Sequence, residues 1–416
     1  MVRLQSFLAG SLAAGSALAA NVKMPLSLVP QSRADLDGAV CLDGTVPGYY
    51  FAPANTTADP TAASKWVLYF KGGGWCYDEA SCASRAKTDL GSSDHMPASF
   101  TFGGVMDSEA AVNPEFAAFN RVVMYYCDGA SFSGDNDAPY VDAKTNQTIY
   151  FRGRRVLGAL LDTLVKSHGL GAATDVLLSG GSAGGLSTYL HADRVHDYMK
   201  AHAPKLARFK AAPVSGFFLL HANAAGKPVY PNEMQYVYGM QNASAGVHPS
   251  CVASLPADEQ WRCIFANYSY AHTSTPVFPL QSAIDSWQMG SIWQGDKGCA
   301  TKDFRSCNAT EVADLNGYAH DLIADLKNAR SSVFPDGKFG APGNGGFVES
   351  CLEHCGAQTS KNFMTYAIGG VTMQQALSAW WNDAPTAPSA KHWSLPCDLA
   401  LTAAGGNDAQ CNPTCD

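Results

Sequence analysis

Short, continuously apolar runs recur along the chain, and a glycine-rich turn follows each of them. Runs of this length without polar alternation are typical of central strands in a sheet that is covered on both faces. Helical apolar spacing lies between and after them, at 155–166 and 186–202. Strands that alternate with helices predict an α/β fold with a mostly parallel central sheet flanked by helices. The apolar runs are residues 66–70, 121–126 and 175–178, and their turns are 71–76, 127–129 and 179–182.

The rest of the sequence fits one large domain. It contains no internal repeat, no low-complexity block and no charge run long enough to mark a linker. Residues 223–263 show weak periodicity with scattered aromatic side chains, which indicates an insertion or a lid. We therefore predict a single domain over residues 21–416, decorated by this segment.

The first twenty residues have the pattern of a secretory signal peptide. Arg3 precedes an apolar stretch that is rich in Ala and Leu and ends at Ala17-Leu18-Ala19, a sequence of the A-x-A form. The stretch is shorter than the roughly 20 apolar residues of a membrane-spanning helix, and no later segment is a better candidate. The pattern therefore predicts cleavage near Ala19 or Ala20, a secreted extracellular protein and no membrane span.

Composition and charge agree with secretion. The chain has 28 Lys plus Arg against 36 Asp plus Glu, a net charge of −8, so it lacks the basic excess that nucleic-acid binding needs. Its sparse charge, 15% of residues, argues against a disordered chain. Five N-x-S/T sequons are candidate glycosylation sites. They are Asn55, Asn146, Asn242, Asn267 and Asn308.

Thirteen cysteines in a secreted chain predict a disulfide-stapled fold. The number is odd, so at least one cysteine has no partner within the chain. Close pairs such as Cys299 with Cys307, or Cys411 with Cys415, are candidates for local loops. Spacing alone does not determine the connectivity.

Residues 180–184 read GGSAG and match G-x-S-x-G between a predicted strand and a predicted helix. A sharp strand-to-helix turn forces the serine into strained backbone angles and requires small neighbours. The serine hydroxyl is then exposed above the sheet, and the next backbone N–H points at a developing oxyanion. We therefore predict that Ser182 is a nucleophile rather than part of a bare turn.

A serine nucleophile needs a histidine that takes its proton and a carboxylate that orients this histidine. In one common chain order the acid and then the histidine follow the serine. His354 comes just after a strand-like run at 345–351, where such a base belongs. His320 lies in a polar helical stretch, which indicates a surface position. His392 lies in a Pro-flanked tail and is interpreted as a packing residue.

The sequence identifies the carboxylate that would orient His354 less clearly than it identifies the histidine. Asp285 follows a strand-like apolar run at 276–280. The alternatives Asp314, Asp321 and Asp325 fall in helical patterns that indicate solvated positions. Periodicity favours Asp285 without excluding the others.

The turn at 71–76 reads KGGGWC and is a candidate for a second oxyanion donor. Glycines let backbone N–H groups approach a substrate oxygen closely. Other chemistries have no motif, because neither G-x-x-x-x-G-K-[ST] nor H-E-x-x-H occurs in the sequence. Cys351 and Cys355 flank His354 in a zinc-like pattern, but in an oxidising compartment they are better interpreted as disulfides that fix the loop holding His354. We therefore predict no metal and no cofactor.

Seven segments, which follow one another from Cys41 to about Cys355, together resemble the pectin acetylesterase family. The animal carboxylesterase Notum, which acts on lipidated Wnt proteins, is a relative of this family. Two positions differ from the family pattern. Lys71 stands where the family usually has glutamate, and Gly181 stands where plant members often have cysteine, a difference that offers a reason for an unpaired cysteine. The matching segments are 41–49, 72–76, 126–135, 150–153, 180–186, 285–288 and 350–355.

The resemblance implies an α/β-hydrolase-like fold with a catalytic triad of Ser182, Asp285 and His354. It makes Asp285 the expected acid, and it implies that the loop at 128–135 borders the pocket together with Trp75. The implied activity is that of a secreted serine carboxylesterase, without a cofactor, which removes acetyl groups from a cell-wall polysaccharide such as pectin. The implied oxyanion donors are the backbone N–H groups of Gly74, Trp75 and Ala183.

Two other functions remain open. A Notum-like deacylase of a lipidated protein or lipid ester would need a deep apolar pocket beside Ser182, and Phe132 and residues 217–219 are candidates to line it, although 217–219 also fits an ordinary buried segment. A catalytically inactive extracellular binding protein is disfavoured, since it has no need for a nucleophile, a base and an oxyanion loop together. The net negative charge argues mildly against a polyanionic substrate. The oligomeric state cannot be predicted from these patterns.

Overall fold

The computed structural model describes residues 21–142, 145–295, 299–300, 303–328, 343–383, 392–394, 399 and 412–415. The predicted signal peptide at 1–20 therefore lies outside the described residues. Within these ranges there are fourteen strands, ten of which form one large sheet. The strands are β1 (Met24–Leu28), β2 (Gly48–Ala52), β3 (Lys65–Phe70), β4 (Ser99–Phe100), β5 (Asn120–Met124), β6 (Tyr140–Val141), β7 (Thr148–Ile149), β8 (Asp175–Gly181), β9 (Arg208–Val214), β10 (Leu280–Ser282), β11 (Gly346–Glu349), β12 (Ala367–Ile368), β13 (Val371–Thr372) and β14 (His392–Ser394).

The α-helices connect and cover these strands. None of those in the described ranges is long and apolar enough to cross a membrane. They are α1 (Gln31–Asp37), α2 (Glu79–Arg85), α3 (Gly153–His168), α4 (Ala183–His202), α5 (Val229–Met240), α6 (Pro249–Ser254), α7 (Ala266–Ser269), α8 (Ser286–Gln288), α9 (Ala309–Asn328), α10 (Ser360–Thr365) and α11 (Met373–Trp381).

The large sheet has the strand order β14-β11-β10-β9-β8-β3-β5-β2-β1-β4. All neighbours from β14 to β5 are parallel, and the pairs from β5 to β4 are antiparallel. β6 with β7, and β12 with β13, form two small separate ladders. The mostly parallel α/β architecture expected from the sequence is therefore confirmed.

The central strands are apolar throughout because both faces of the sheet are buried. In β3, Trp66, Leu68 and Phe70 point into the core that α3 and α4 cover. Val67 and Tyr69 point into the opposite core, which α10 and α11 cover. Successive side chains of a strand face opposite sides, so a strand between two helical layers has no exposed face for polar residues.

The apolar runs at 66–70, 121–126 and 175–178 form β3, β5 and β8, and the two predicted helices form α3 and α4. The run at 276–280 differs, since a regular strand begins only at Leu280 and Val277 makes an isolated bridge to Ala211. Residues 223–263 contain α5 and α6. Their role as a lid stays a prediction.

Five disulfides staple the described part of the chain. The local pair Cys299–Cys307 agrees with the prediction. Another short bridge closes the segment that follows the oxyanion-loop candidate, at Cys76–Cys82. The remaining disulfides are Cys41–Cys127, Cys251–Cys263 and Cys351–Cys415.

The proposed pair Cys411 with Cys415 is wrong. Cys415 bonds to Cys351, 64 positions away in sequence, while Cys411 lies outside the described residues. The expectation that Cys355 also forms a disulfide is wrong as well, because its thiol is buried and unbonded. Chain folding, rather than spacing, brings these sulfurs together.

Candidate active site

Ser182 lies at the sharp turn between β8 and α4, as the G-x-S-x-G motif predicted. Its backbone angles are φ 59° and ψ −128°, in the left-handed region that is strained for a residue with a side chain. Its N–H donates to the carbonyl oxygen of Val214 at 3.0 Å, which fixes the turn. The turn packs tightly, since a side chain at Gly184 would approach the carbonyl oxygen of Phe70 to 2.1 Å. The small neighbours of Ser182 are therefore a steric requirement.

Asp285 and His354 form a close pair at the carboxyl ends of two adjacent parallel strands. The Nδ1 atom of His354 lies 2.9 Å and 2.8 Å from the two carboxylate oxygens of Asp285. Asp285 is completely buried and caps α8, where its Oδ1 accepts the N–H groups of Trp287 at 3.0 Å and Gln288 at 3.1 Å. These two bonds hold the carboxylate in place, so it can fix the orientation and tautomer of the imidazole.

The electrostatics of His354 follow from this pair. Burial alone would lower its pKa, but the negative charge of Asp285 and the hydrogen bond between them raise the pKa of His354 above its ordinary value. The other ring nitrogen, Nε2, is buried and has no hydrogen-bond partner within the described residues. It is therefore the ring nitrogen that no other described group engages.

Ser182 and His354 line the same cavity, whose volume is about 520 Å³. Glycines from the turn at 71–76 form one wall, and the loop that carries His354 forms another. Ser182, His354 and the backbone of the glycine loop thus surround one space large enough for a sugar-sized group. The lining residues are Lys71, Gly72, Gly73, Gly74, Phe100, Phe102, Gly181, Ser182, Trp287, His354, Cys355 and Gln358.

The glycine loop is held in a conformation that exposes its N–H groups. Gly73 and Gly74 have φ of 147° and 62°, angles that disfavour other residues. The guanidinium of Arg85 donates to the carbonyl oxygen of Gly73 at 2.8 Å. Across the described ranges, the N–H groups of Gly74 and Trp75 donate no hydrogen bond within the chain. Together with the N–H of Ala183, the first residue of α4, they are free to bind an oxyanion.

Ser131 connects the glycine loop to the start of α4, and the sequence analysis did not single it out. Its Oγ accepts the indole N–H of Trp75 at 2.8 Å and donates to the carbonyl oxygen of Ala183 at 2.9 Å. The residue is fully buried and has φ 55°. It sits in the 128–135 loop, which was expected to border the pocket together with Trp75. This expectation is wrong, because the lining of the cavity contains neither Trp75 nor any residue of this loop. The loop supports the site from behind.

Asp128 shapes this supporting loop. Its carboxylate accepts the N–H groups of Ala130 at 3.1 Å and Phe132 at 2.9 Å. Burial raises the pKa of Asp128 to about 7, while these bonds and the charge of Arg85 act in the opposite direction. The same guanidinium also donates to Gly73 of the glycine loop, so the charge of Arg85 acts on both loops.

The alternative acids and bases lie elsewhere. His320, Asp314 and Asp321 are exposed on α9, and Asp325 on the same helix accepts a hydrogen bond from Asn267 at 3.1 Å. None of them lines the cavity. The side chain of His392 lies outside the described residues.

The zinc-like pattern around His354 loses one ligand to a disulfide. Among the described residues, Glu349, Cys351 and Cys415 lie close enough together to share an ion. Their two sulfurs are bonded to each other, which removes the thiolates that zinc would require. The bridge instead anchors the loop that holds His354.

An aromatic cluster, formed by Trp75, Phe218, Tyr230 and Trp287, packs beside His354. The ring centroids of Trp75 and Phe218 are 5.0 Å apart, and Trp287 lies 5.6 Å and 5.1 Å from these two rings. Phe218 is 6.3 Å from the ring of His354. Trp75, Phe218 and Tyr230 are at most 6% exposed, so the rings fill the space beside the site.

The other residues considered for an apolar acyl pocket are part of the core. Phe132 packs against Phe70 and Tyr126, with ring centroids 5.0 Å and 5.6 Å away. Phe217 and Leu219 are buried within the same core. None of these residues lines the described cavity.

Comparison with known proteins identifies close relatives in sequence. A family model described as Pectinacetylesterase matches residues 17–401. Pectin acetylesterase 11 of Arabidopsis thaliana is 31% identical over 381 residues, covering 89% of this chain and 91% of that protein. Pectin acetylesterase 5 of the same organism is 32% identical over 371 residues, covering 86% and 80%.

More distant relatives carry another activity in their names. The palmitoleoyl-protein carboxylesterase NOTUM of Schmidtea mediterranea is 25% identical over 347 residues, covering 82% of this chain and 60% of that protein. A solved structure of the Wnt deacylase Notum from Drosophila superposes with a TM-score of 0.75 at 22% identity, covering 95% of this chain and all of that one. This structural similarity shows that the α/β-hydrolase-like fold implied by the sequence is present.

Proposed function

The chain belongs to the pectinacetylesterase family and is a carboxylic-ester hydrolase, and we propose that it is a secreted serine esterase that removes acetyl groups from a cell-wall polysaccharide such as pectin. The observation that carries the proposal is the pairing of buried Asp285 with His354 at 2.8 Å, on the wall of the cavity that Ser182 also lines. Such a set is the minimum for activating a serine.

The proposed reaction begins with proton transfer from Ser182 to the Nε2 atom of His354. The serine oxygen bonds to the ester carbonyl carbon, and the carbonyl oxygen becomes an oxyanion that binds the N–H groups of Gly74, Trp75 and Ala183. The C–O bond to the sugar then breaks, and His354 returns its proton to the departing alcohol.

An acetyl group now remains on Ser182. His354 takes a proton from a water molecule, whose oxygen attacks the acyl carbon, and acetate leaves as the proton returns to the serine. Asp285 keeps the imidazole oriented in both halves and stabilises its cation.

The aromatic cluster supports a short acyl group. Trp75 and Phe218 are 6% and 1% exposed, and their rings contact each other and Trp287 beside the base. An acyl chain that extended from Ser182 toward this cluster would have to displace packed rings, whereas an acetyl group needs no such movement. The five disulfides support an oxidising, extracellular compartment.

The test compares hydrolysis of p-nitrophenyl acetate and p-nitrophenyl octanoate, and acetate release from acetylated pectin, by wild type and Ser182→Ala. We expect turnover of acetate esters that disappears in the variant. A marked preference for octanoate would contradict the acetyl assignment and favour deacylation of lipid esters. Equal activity of the two proteins would contradict the role of Ser182.

A further inference from the structure

A second cavity, of about 490 Å³, is lined by residues of α3 and α4, and arginine side chains dominate its charge. Among the described residues it shares no lining residue with the cavity of Ser182. Three cationic and two anionic side chains line it, so the cavity has an excess of positive charge in a chain of net charge −8. These side chains belong to Arg154, Arg155, Arg194, Asp37 and Asp135.

Both aspartates of this cavity already pair with arginines. The two carboxylate oxygens of Asp135 accept one guanidinium each, from Arg154 at 2.8 Å and from Arg155 at 2.6 Å. Asp37, at the end of α1, pairs at 2.9 Å with Arg33, which does not line the cavity. The negative charges of the cavity are therefore committed to arginines other than the one on α4.

That arginine, Arg194, forms no ion pair with a carboxylate of the described residues. Its Nη2 atom donates to the carbonyl oxygen of Ala245 at 2.6 Å. Burial lowers the pKa of Arg194 and the positive charge of Arg154 lowers it further, while Asp135 acts in the opposite direction. The guanidinium is thus partly withdrawn from water and repelled by a like charge. An anion between the two arginines would replace this repulsion by attraction.

The start of α3 adds to the positive potential of the cavity. Arg154 and Arg155 lie in the first turn of this helix, which contains no acidic residue. Because the N-terminus is the positive end of the helix dipole, basic side chains there are unfavourable and a bound anion is favourable. The Nε atom of Arg154 is also buried without a hydrogen-bond partner in the described part of the chain.

The floor of the cavity is apolar and has room for a ligand. Leu157 and Leu161 of α3 are 1% and 2% exposed, and they line the cavity together with Gly158. A Cβ atom at Gly158 would meet no atom within 4 Å, so this face of the helix leaves space above it. The cavity can therefore hold a charged group together with a small organic body attached to it.

We propose that this cavity is a binding site for a tetrahedral oxyanion, a phosphate or sulfate group, which bridges Arg154 of α3 and Arg194 of α4. A tetrahedral group directs its oxygens to several sides, so it can accept hydrogen bonds from guanidiniums on two helices at once. The oxyanion is either a free ion or the head group of a small molecule whose body lies over Gly158. The site does not depend on the proposed function, since the two cavities are separate.

The test is isothermal titration calorimetry with inorganic phosphate, glucose 6-phosphate and glucose, at an ionic strength held constant with sodium chloride. We expect saturable binding of both phosphates to the wild type and no binding of glucose. Arg194→Gln should raise the Kd of both about 10- to 100-fold, as for the loss of one charge-assisted hydrogen bond. Lys200→Gln removes an exposed positive charge of the same helix outside the cavity and should leave both Kd values unchanged.

A variant of the cavity floor distinguishes the two sources of the oxyanion. Gly158→Leu fills the space above α3 without changing the charge, and leucine favours a helix. If the ligand is a head group, this variant should weaken glucose 6-phosphate far more than inorganic phosphate. If the ligand is a free ion, inorganic phosphate should bind the wild type at least as tightly as glucose 6-phosphate does.

Thermal unfolding gives a readout that needs no variant. Phosphate should raise the unfolding temperature of the wild type saturably, whereas sodium chloride of equal ionic strength should not. The site is overturned if the two salts act equally, if neither phosphate binds saturably, or if folded Arg194→Gln binds both as tightly as the wild type. None of these results bears on ester hydrolysis, whose test is the comparison of wild type with Ser182→Ala.

Discussion

Replacing Asp285 by asparagine tests the catalytic pair with little change in shape. The Oδ1 atom of Asp285 accepts two backbone N–H groups of α8, and an asparagine oxygen can accept the same two bonds. The asparagine NH₂ group would then stand where Oδ2 now lies, 2.8 Å from Nδ1 of His354. Because an NH₂ group donates, it forces Nδ1 to accept, and the ring proton moves to Nε2. A protonated Nε2 cannot take the proton of Ser182.

The expected loss in kcat for Asp285→Asn is about 10⁴-fold, as for the equivalent change in a serine protease, which corresponds to about 5 kcal/mol of transition-state stabilisation. The assay is hydrolysis of p-nitrophenyl acetate, with circular dichroism to establish that the variant is folded. Asp314→Asn is the matched control, because it changes an exposed aspartate on α9 that the sequence also offered as the acid. It should retain wild-type activity.

The pH dependence gives a second readout of the same variant. Catalysis needs neutral His354, so wild-type kcat/KM should fall as the pH drops below the raised pKa of this residue. Without the carboxylate charge the pKa falls, and the acidic limb of the residual activity should move to lower pH. A folded Asp285→Asn that keeps more than about a tenth of wild-type kcat, with an unmoved limb, would refute the assignment of the acid.

Three further outcomes follow from buried contacts. Ser131→Ala removes the acceptor of the Trp75 indole N–H. We therefore expect a free energy of unfolding that is lower by about 1–3 kcal/mol in denaturant titration, together with a lower kcat. An unchanged unfolding midpoint and an unchanged kcat would contradict the bridging role of Ser131. Peptide mapping after glycosidase treatment should find Asn308 modified and Asn267 unmodified. Asn308 is exposed, whereas the side-chain amide of Asn267 donates to Asp325 and the hydroxyl of its sequon, on Ser269, is buried. A glycan on Asn267 would contradict this packing. Alkylation of the unreduced, denatured protein should label Cys355, and finding it in a disulfide would contradict the free thiol.

The fold could be predicted from the sequence where strands are uniformly apolar. For that reason the sequence predicts β3, β5 and β8. It does not predict the neighbouring central strand β9, because Lys210 and Pro213 interrupt the apolar pattern of β9. A proline argues against a central strand, since it cannot donate to the ladder. The structure places Pro213 opposite Gly180 and neutralises the buried Lys210, whose ammonium donates to Asp383 at 2.8 Å. Both solutions depend on partners that are distant in sequence.

The positions of Ser182, Asp285 and His354 could be predicted because each follows a strand-like run, and the carboxyl ends of parallel strands share one edge of the sheet. The supporting contacts could not. Ser131 is one serine in a loop of small residues, and nothing local distinguishes it from its neighbours. The partner of Cys351 is likewise 64 positions away, beyond any spacing rule.

The strand order also explains why a shared edge of the sheet does not by itself bring Ser182 and His354 together. Ser182 follows β8 and His354 follows β11, and the order β11-β10-β9-β8 leaves their strands three spacings apart, roughly 14 Å. The loop of His354 must therefore cross back over β10 and β9 to line the same cavity as Ser182. Ser215, just after β9, holds it there, because its hydroxyl accepts the N–H of Cys355 at 2.8 Å. Cys355 has φ 63°, so the backbone turns sharply at this contact. The sequence indicates which side chains meet at the edge, while the distance between base and nucleophile is set by this crossing.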